Sequence, residues 1–121
     1  MALVTPKRLN KTLTVAHRRS KRQEREVAQA LGGKCTPASG ALDVKGDVRI
    51  TSIARVECKT TANKSFSVTR EIIQKIEDAA IGSGEVPALV VEFISSNGAP
   101  ESSVAVVPMW VLQSIIANGA N

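Results

Sequence analysis

Glu57 and Lys59 stand one residue apart in the run RVECKTT (residues 55–61), whose other members are mostly β-branched or apolar. On a strand, side chains at i and i+2 point the same way, so Glu57 and Lys59 share one face while Val56 and Cys58 take the other. Taken alone, Glu-x-Lys also describes a same-face ion pair on an edge strand. Asp47, which follows Gly46 ten residues before Glu57, shifts the reading. A hairpin turning near Ser52 and Ile53 would set Asp47 beside Glu57. Two carboxylates converging next to one lysine repel each other unless a cation sits between them. Mg²⁺ takes oxygen ligands and keeps several waters, so two carboxylates and a main-chain carbonyl are protein donors enough.

A third acid comes from the first helical pattern. Residues 20–31 place Val27, Ala28 and Leu31 on one stripe, and counting back from them puts Glu24 on the same stripe, the face that must pack on a sheet. A carboxylate there needs a reason, either a metal or the favourable field at a helix N-terminus. Glu26 falls with Gln29 on the solvent side. Positive charge surrounds this helix. Residues 1–25 hold Lys7, Arg8, Lys11, Arg18, Arg19, Lys21, Arg22 and Arg25 against Glu24 alone, a net of +7, whereas the other 96 residues carry eight basic and ten acidic groups, a net of −2. Residues 1–19 therefore read as a basic arm fitted to a phosphate backbone, with a plain solvated tail as the alternative. Residues 20–121 read as one domain. His17, with no second candidate ligand nearby, reads as one more polar contact of the arm.

The elements that would position these groups follow from pattern and punctuation. Gly32-Gly33 ends the first helix, and strand-like pieces follow at 34–37, 47–51 and 54–60. The stretch TPASGALDVKG between the first two is rich in turn formers and predicts a mobile loop. Thr69 can cap a second helix with Ile72, Ile73, Ile76 and Ala80 on one side, closed by Gly82 and Gly84. Pro87 opens ALVVEFI, an apolar run typical of a strand buried on both faces. SVAVV at 103–107 is a further strand, and Pro108 begins a last helix with Met109, Leu112 and Ile116 along one face. The order αβββαββα implies an α/β fold with a central mixed sheet flanked by helices.

Composition sets the outer bounds. A chain of 121 residues fits one core, and with two Phe, one Trp and no Tyr that core must be built from Val, Ile, Leu and Ala. No apolar stretch approaches the roughly 18–20 residues that cross a bilayer, and the basic N-terminus lacks the apolar segment of a secretory signal. The expectation is a protein that works inside the cell without a membrane partner. Cys35 and Cys58 are too few and too far apart for a zinc cluster and read as buried free thiols.

The series Glu24, Ser39-Gly40, Asp47 in GDV, and Glu57 and Lys59 in ECKTT resembles the PD-(D/E)XK nuclease superfamily, closest to the archaeal-type Holliday junction resolvases and their phage-encoded relatives. The likeness runs from about Lys21 to about Phe93, with Gly46 where the family often has proline. It implies a restriction-endonuclease-like αβββαβ core and a metal-dependent endonuclease that resolves four-way DNA junctions by paired phosphodiester hydrolysis. Such an enzyme would work in the cytoplasm or at the nucleoid. Asp47, Glu57 and the backbone carbonyl of Cys58 would hold Mg²⁺, with Mn²⁺ substituting, and Glu24 would reach the metal through water. Lys59 would orient the attacking water or stabilise the transition state. Ser39 would contact the backbone near the cut, Lys45 would assist, and Lys64 and Arg70 would be outer phosphate contacts. A homodimer is implied, with Phe93, Met109, Trp110 and Leu112 as interface candidates. Two other classes stay open: another nuclease of the superfamily, of restriction or repair type, and a non-catalytic DNA-binding protein.

Overall fold

A computed structural model describes residues 19–36 and 48–119 of the chain. Helix α1 (residues 19–31) precedes β1 (Lys34–Cys35), β2 (Val48–Ile50), β3 (Ala54–Thr61), α2 (Arg70–Ile81), β4 (Val86–Ile94), β5 (Pro100–Val106) and α3 (Met109–Gly119). The five strands form one sheet in the order β1-β2-β3-β4-β5. All neighbours run antiparallel except β3 and β4, which are parallel and joined through α2. The architecture is the mixed α/β sheet flanked by helices that the pattern predicts.

Local chemistry accounts for most boundaries. The Thr69 hydroxyl accepts a hydrogen bond from the Ile72 amide at 3.2 Å and caps α2. Ser52, at φ 67°, turns the hairpin between β2 and β3. Gly33 follows α1 where the chain runs against β2, and a Cβ there would lie 2.8 Å from the Arg49 carbonyl oxygen. Glycine is required at that position.

The sheet has a core on each side. Ala28 of α1 packs with Val48, Val56 and Cys58 on one face, while Ile76 of α2 packs with Leu89 and Val91 on the other. Several expectations change. Leu31, at the end of the α1 stripe, is half exposed. Cys58 is buried as expected, but Cys35 is exposed, because β1 is a two-residue edge strand that nothing among the described residues covers. The segment holding Ser39 and the GALDVKG stretch lies outside the described residues, as do Lys45 and Asp47.

Candidate catalytic face of strand β3

Register assigns the faces. Glu57 is the Cα partner of Leu89 and Lys59 of Val91, and those two β4 residues pack under α2, so Glu57 and Lys59 look toward the α2 side. The Glu57 carboxylate is buried, and Lys59 Nζ stands 3.4 Å from its Oε2 with the lysine side chain 40% exposed. The pair is therefore an acid withdrawn from water with a cation at its mouth. Val48, the residue after Asp47, is the Cα partner of Val56, the residue before Glu57.

Helix α1 meets β3 from the opposite face through Gln23. This side chain is 1% exposed; its Nε2 donates to the Lys59 carbonyl at 3.0 Å, and its Oε1 accepts from the Thr60 hydroxyl at 2.8 Å. Glu24, the next residue, is half-buried. Helix α1 covers the Val56 and Cys58 face, so Glu24 belongs to an element on the side of the sheet opposite the face that carries Glu57 and Lys59. Among the described residues no group of three or more His, Cys, Asp or Glu side chains converges, so these residues alone do not make a metal site.

The basic groups divide into three kinds. Arg19 is not an arm residue: it lies in α1, is 8% exposed, and donates to both Glu92 oxygens, from Nε at 2.6 Å and from an Nη at 2.5 Å, with Glu26 as a further partner at 2.6 Å. Hydrogen bonding to Glu92 holds its pKa above the ordinary arginine value despite burial. Three of its five N–H donors go to these two carboxylates at 2.6 Å or less and the side chain is buried, so Arg19 is committed to the fold in a way that an exposed phosphate contact is not. Lys21, Arg22 and Arg25 are exposed on α1, as are Lys64 after β3 and Arg70 at the start of α2. Lys7, Arg8, Lys11, His17 and Arg18 lie outside the described residues. Lys64 lines a cleft of about 620 Å³, together with Asn63, Phe93 and Ser95, at the C-terminal ends of the parallel strands β3 and β4. Open α/β sheets bind their ligands at such strand ends.

Of the interface candidates, Phe93 is half-buried and packs into the α2-side core, whereas Met109, Trp110 and Leu112 are exposed. Gln23, Glu92 and Glu85 make buried polar contacts that the reading of the sequence does not name. Glu85 is buried between Arg49 at 2.7 Å and Arg55 at 3.2 Å, and accepts from the Ser52 amide at 2.9 Å and the Ser83 hydroxyl at 2.8 Å. Burial pushes its pKa up, but the hydrogen bonds from Arg49, Ser52 and Ser83 outweigh that and hold it at about 2. A signal exists for both acids, since each is a single charge in or beside the apolar run VPALVVEFI. Their partners lie far away in the chain. No protein-family model, curated protein or solved structure matches this chain.

Proposed function

We propose that the chain is a metal-dependent endodeoxyribonuclease acting on branched DNA, in the manner of a Holliday junction resolvase. The observation that carries this reading is the Glu57–Lys59 pair, a buried carboxylate and a half-exposed ammonium 3.4 Å apart on one face of β3. Asp47 immediately precedes the strand that pairs with β3. With Asp47 and the Cys58 carbonyl, Glu57 completes an all-oxygen donor set of the kind a hard cation takes. Bound there, Mg²⁺ or Mn²⁺ would acidify a water and offset charge on the leaving oxygen.

The chain's own groups do the rest. Lys59 orients the attacking water and holds a positive charge against the phosphate oxygens as they gain negative charge. Water adds to phosphorus and one P–O ester bond breaks, leaving a phosphate monoester and a hydroxyl. Gln23 holds the main chain at Lys59. Ser39, Lys45, Lys64 and Arg70, with Lys21, Arg22 and Arg25, would follow the DNA backbone. Paired cuts on a junction require two copies of the site, hence a homodimer.

A non-catalytic DNA-binding protein is the rival, favoured by the same 3.4 Å separation, at which Glu57 and Lys59 satisfy each other's charge as a plain ion pair. One experiment separates the two: a labelled four-way junction and a linear duplex, each incubated with and without Mg²⁺. Metal-dependent cutting that prefers the junction is expected. Cutting both alike leaves a nuclease without branch preference, and binding without cutting establishes the rival.

A further inference from the structure

The cleft at the C-terminal ends of β3 and β4 brings together an aromatic ring, a cation and a carboxylate. Phe93 of β4, half-buried and resting on the α2-side core, lines it, as does Ser102, its Cα partner on β5. On its other side Phe93 pairs with Thr61, which places it on the face that carries Glu57 and Lys59, one same-face step of about 7 Å beyond Lys59. Glu101 reaches the same cleft through an irregularity. Phe93 pairs with Ser102 but Ile94 pairs with Pro100, so Glu101 is an extra residue in β5, at a β-bulge. Regular alternation would turn Glu101 to the sheet face opposite Ser102, and the bulge lets both line the cleft. Lys64 lines it from the β3 side, with Asn63 beside it. Lys64 and Glu101 are exposed, and among the described residues neither enters a salt bridge.

We infer that this cleft receives one unstacked nucleotide of a DNA strand, with its base on Phe93, the exocyclic amine of that base on Glu101 and its phosphate on Lys64. Aromatic side chains at a sheet surface are platforms on which unpaired bases stack. The cleft, at about 620 Å³, has the size of a pocket that takes a small molecule. Because β3 and β5 flank β4, the cation and the carboxylate come from strands about 10 Å apart, a span comparable with that from phosphate to base edge within a nucleotide. A carboxylate only accepts hydrogen bonds, so Glu101 suits the N4 amine of cytosine and repels the O4 oxygen that thymine carries at the same place. Asn63 and Ser102 offer donors and acceptors for the rest of the base edge. The zwitterionic end of a peptide would match the two charges but gives the Phe93 ring nothing planar to stack on. A continuous duplex keeps its bases inside the helix, so such a cleft selects DNA with unpaired nucleotides. The inference rests on the reading that this chain handles DNA, though not on its cutting DNA.

Titration of the isotope-labelled full chain with short single strands of oligo-dC and oligo-dT, in EDTA and followed by amide NMR shifts, tests it. The amides of Asn63, Lys64, Ser95 and Glu101 should move saturably, and oligo-dC should bind about tenfold more tightly than oligo-dT, the scale of one good base contact. Glu101→Gln, an exposed change that leaves the fold intact, should level the two affinities, because an amide can also donate to thymine O4. Phe93→Leu should weaken both strands about 5- to 100-fold. Lys64→Ala should flatten the slope of log affinity against log salt by about 0.7, the share of one single-strand phosphate. Shifts confined to α1 and the residues before it, with the cleft amides still, would overturn the inference. So would equal affinity for the two strands in the wild type, wild-type affinity in the Phe93 variant, or a duplex that moves the cleft amides as strongly as a single strand. Glycylglycine moving those amides where oligo-dC does not would overturn it in favour of a peptide end. With no metal and no branch present, these readouts are independent of nuclease activity: a chain that cuts junctions while its cleft amides ignore single strands keeps the proposed function and loses this inference, and a chain that binds oligo-dC in the cleft but never cuts does the reverse.

Discussion

At the level of single residues, the site turns on what holds Lys59. Its side chain answers Glu57 on one face, while its carbonyl is held from the other by Gln23. Gln23→Ala should leave the Lys59 carbonyl and the Thr60 hydroxyl short of a buried partner, at a cost of about 1–3 kcal/mol in urea unfolding. If the nuclease reading holds, the same change should lower kcat more than it raises KM, because it disturbs the placement of Lys59 rather than the grip on DNA. An unaltered kcat would show that the clasp is structural alone. Lys59→Ala should reduce cleavage about 10²–10³-fold, the scale on which removing one electrostatic donor acts. Asp47→Ala and Glu57→Ala should abolish cutting yet bind a junction as well as wild type or better, since each removes a negative charge from the phosphate path. Gel-shift and cleavage assays on the same preparations check both halves of that expectation, and wild-type cutting by either carboxylate variant sinks the site assignment. Glu57 and Lys59 were legible because strand period alone puts them on one face. Gln23 was not, since nothing in a helical pattern says that a glutamine will clasp a main chain 36 residues away.

At the level of elements, α1 joins the basic arm to the sheet, and Arg19 is the joint. Its bridge to Glu92 ties the helix to β4, so Arg19 belongs to the folded part of the chain and not to the arm. Removing residues 1–18 deletes Lys7, Arg8, Lys11 and Arg18, and every DNA phosphate thereby left without its cationic partner should flatten the slope of log affinity against log salt by about 0.9. An unchanged slope would mean that the arm takes no part in binding. Arg19→Ala should behave in the opposite way, leaving the slope alone but costing about 3–5 kcal/mol of stability, because it strands Glu92 as an uncompensated buried charge. Element identity was read well from the chain: the order αβββαββα, the Ser52 turn and the Thr69 cap all rest on local pattern or backbone chemistry. The α3 stripe of Met109, Leu112 and Ile116 was visible too, but periodicity reports that a helix has an apolar face, not what covers it.

At the level of the whole molecule, Glu85 is the node where β2, the Ser52 turn, β3 and the end of α2 meet. Its folded pKa of about 2 lies below the ordinary value of 4.5, so the stability it contributes is fully present above about pH 4.5 and is lost as the pH falls toward 2. Urea unfolding at pH 7 and pH 3 should show the wild type weakening between them. Glu85→Gln should be about 3–5 kcal/mol less stable at pH 7, with a smaller loss on acidification; an unchanged pH dependence would show that the titration lies in other groups. What the sequence by itself determined is whatever depends on near neighbours along the chain. That includes the strand face shared by Glu57 and Lys59, the caps and turns, the alternation that calls for a mixed sheet, and the gathering of positive charge at one end. The tertiary structure alone decided the partners of groups for which burial is costly: Arg19 with Glu92 across 73 residues, Glu85 with Arg49 and Arg55, and Gln23 with the Lys59 carbonyl. Periodicity marks a charge as bound for the interior. Which opposite charge meets it there depends on how helices and strands distant in the chain come to lie against one another.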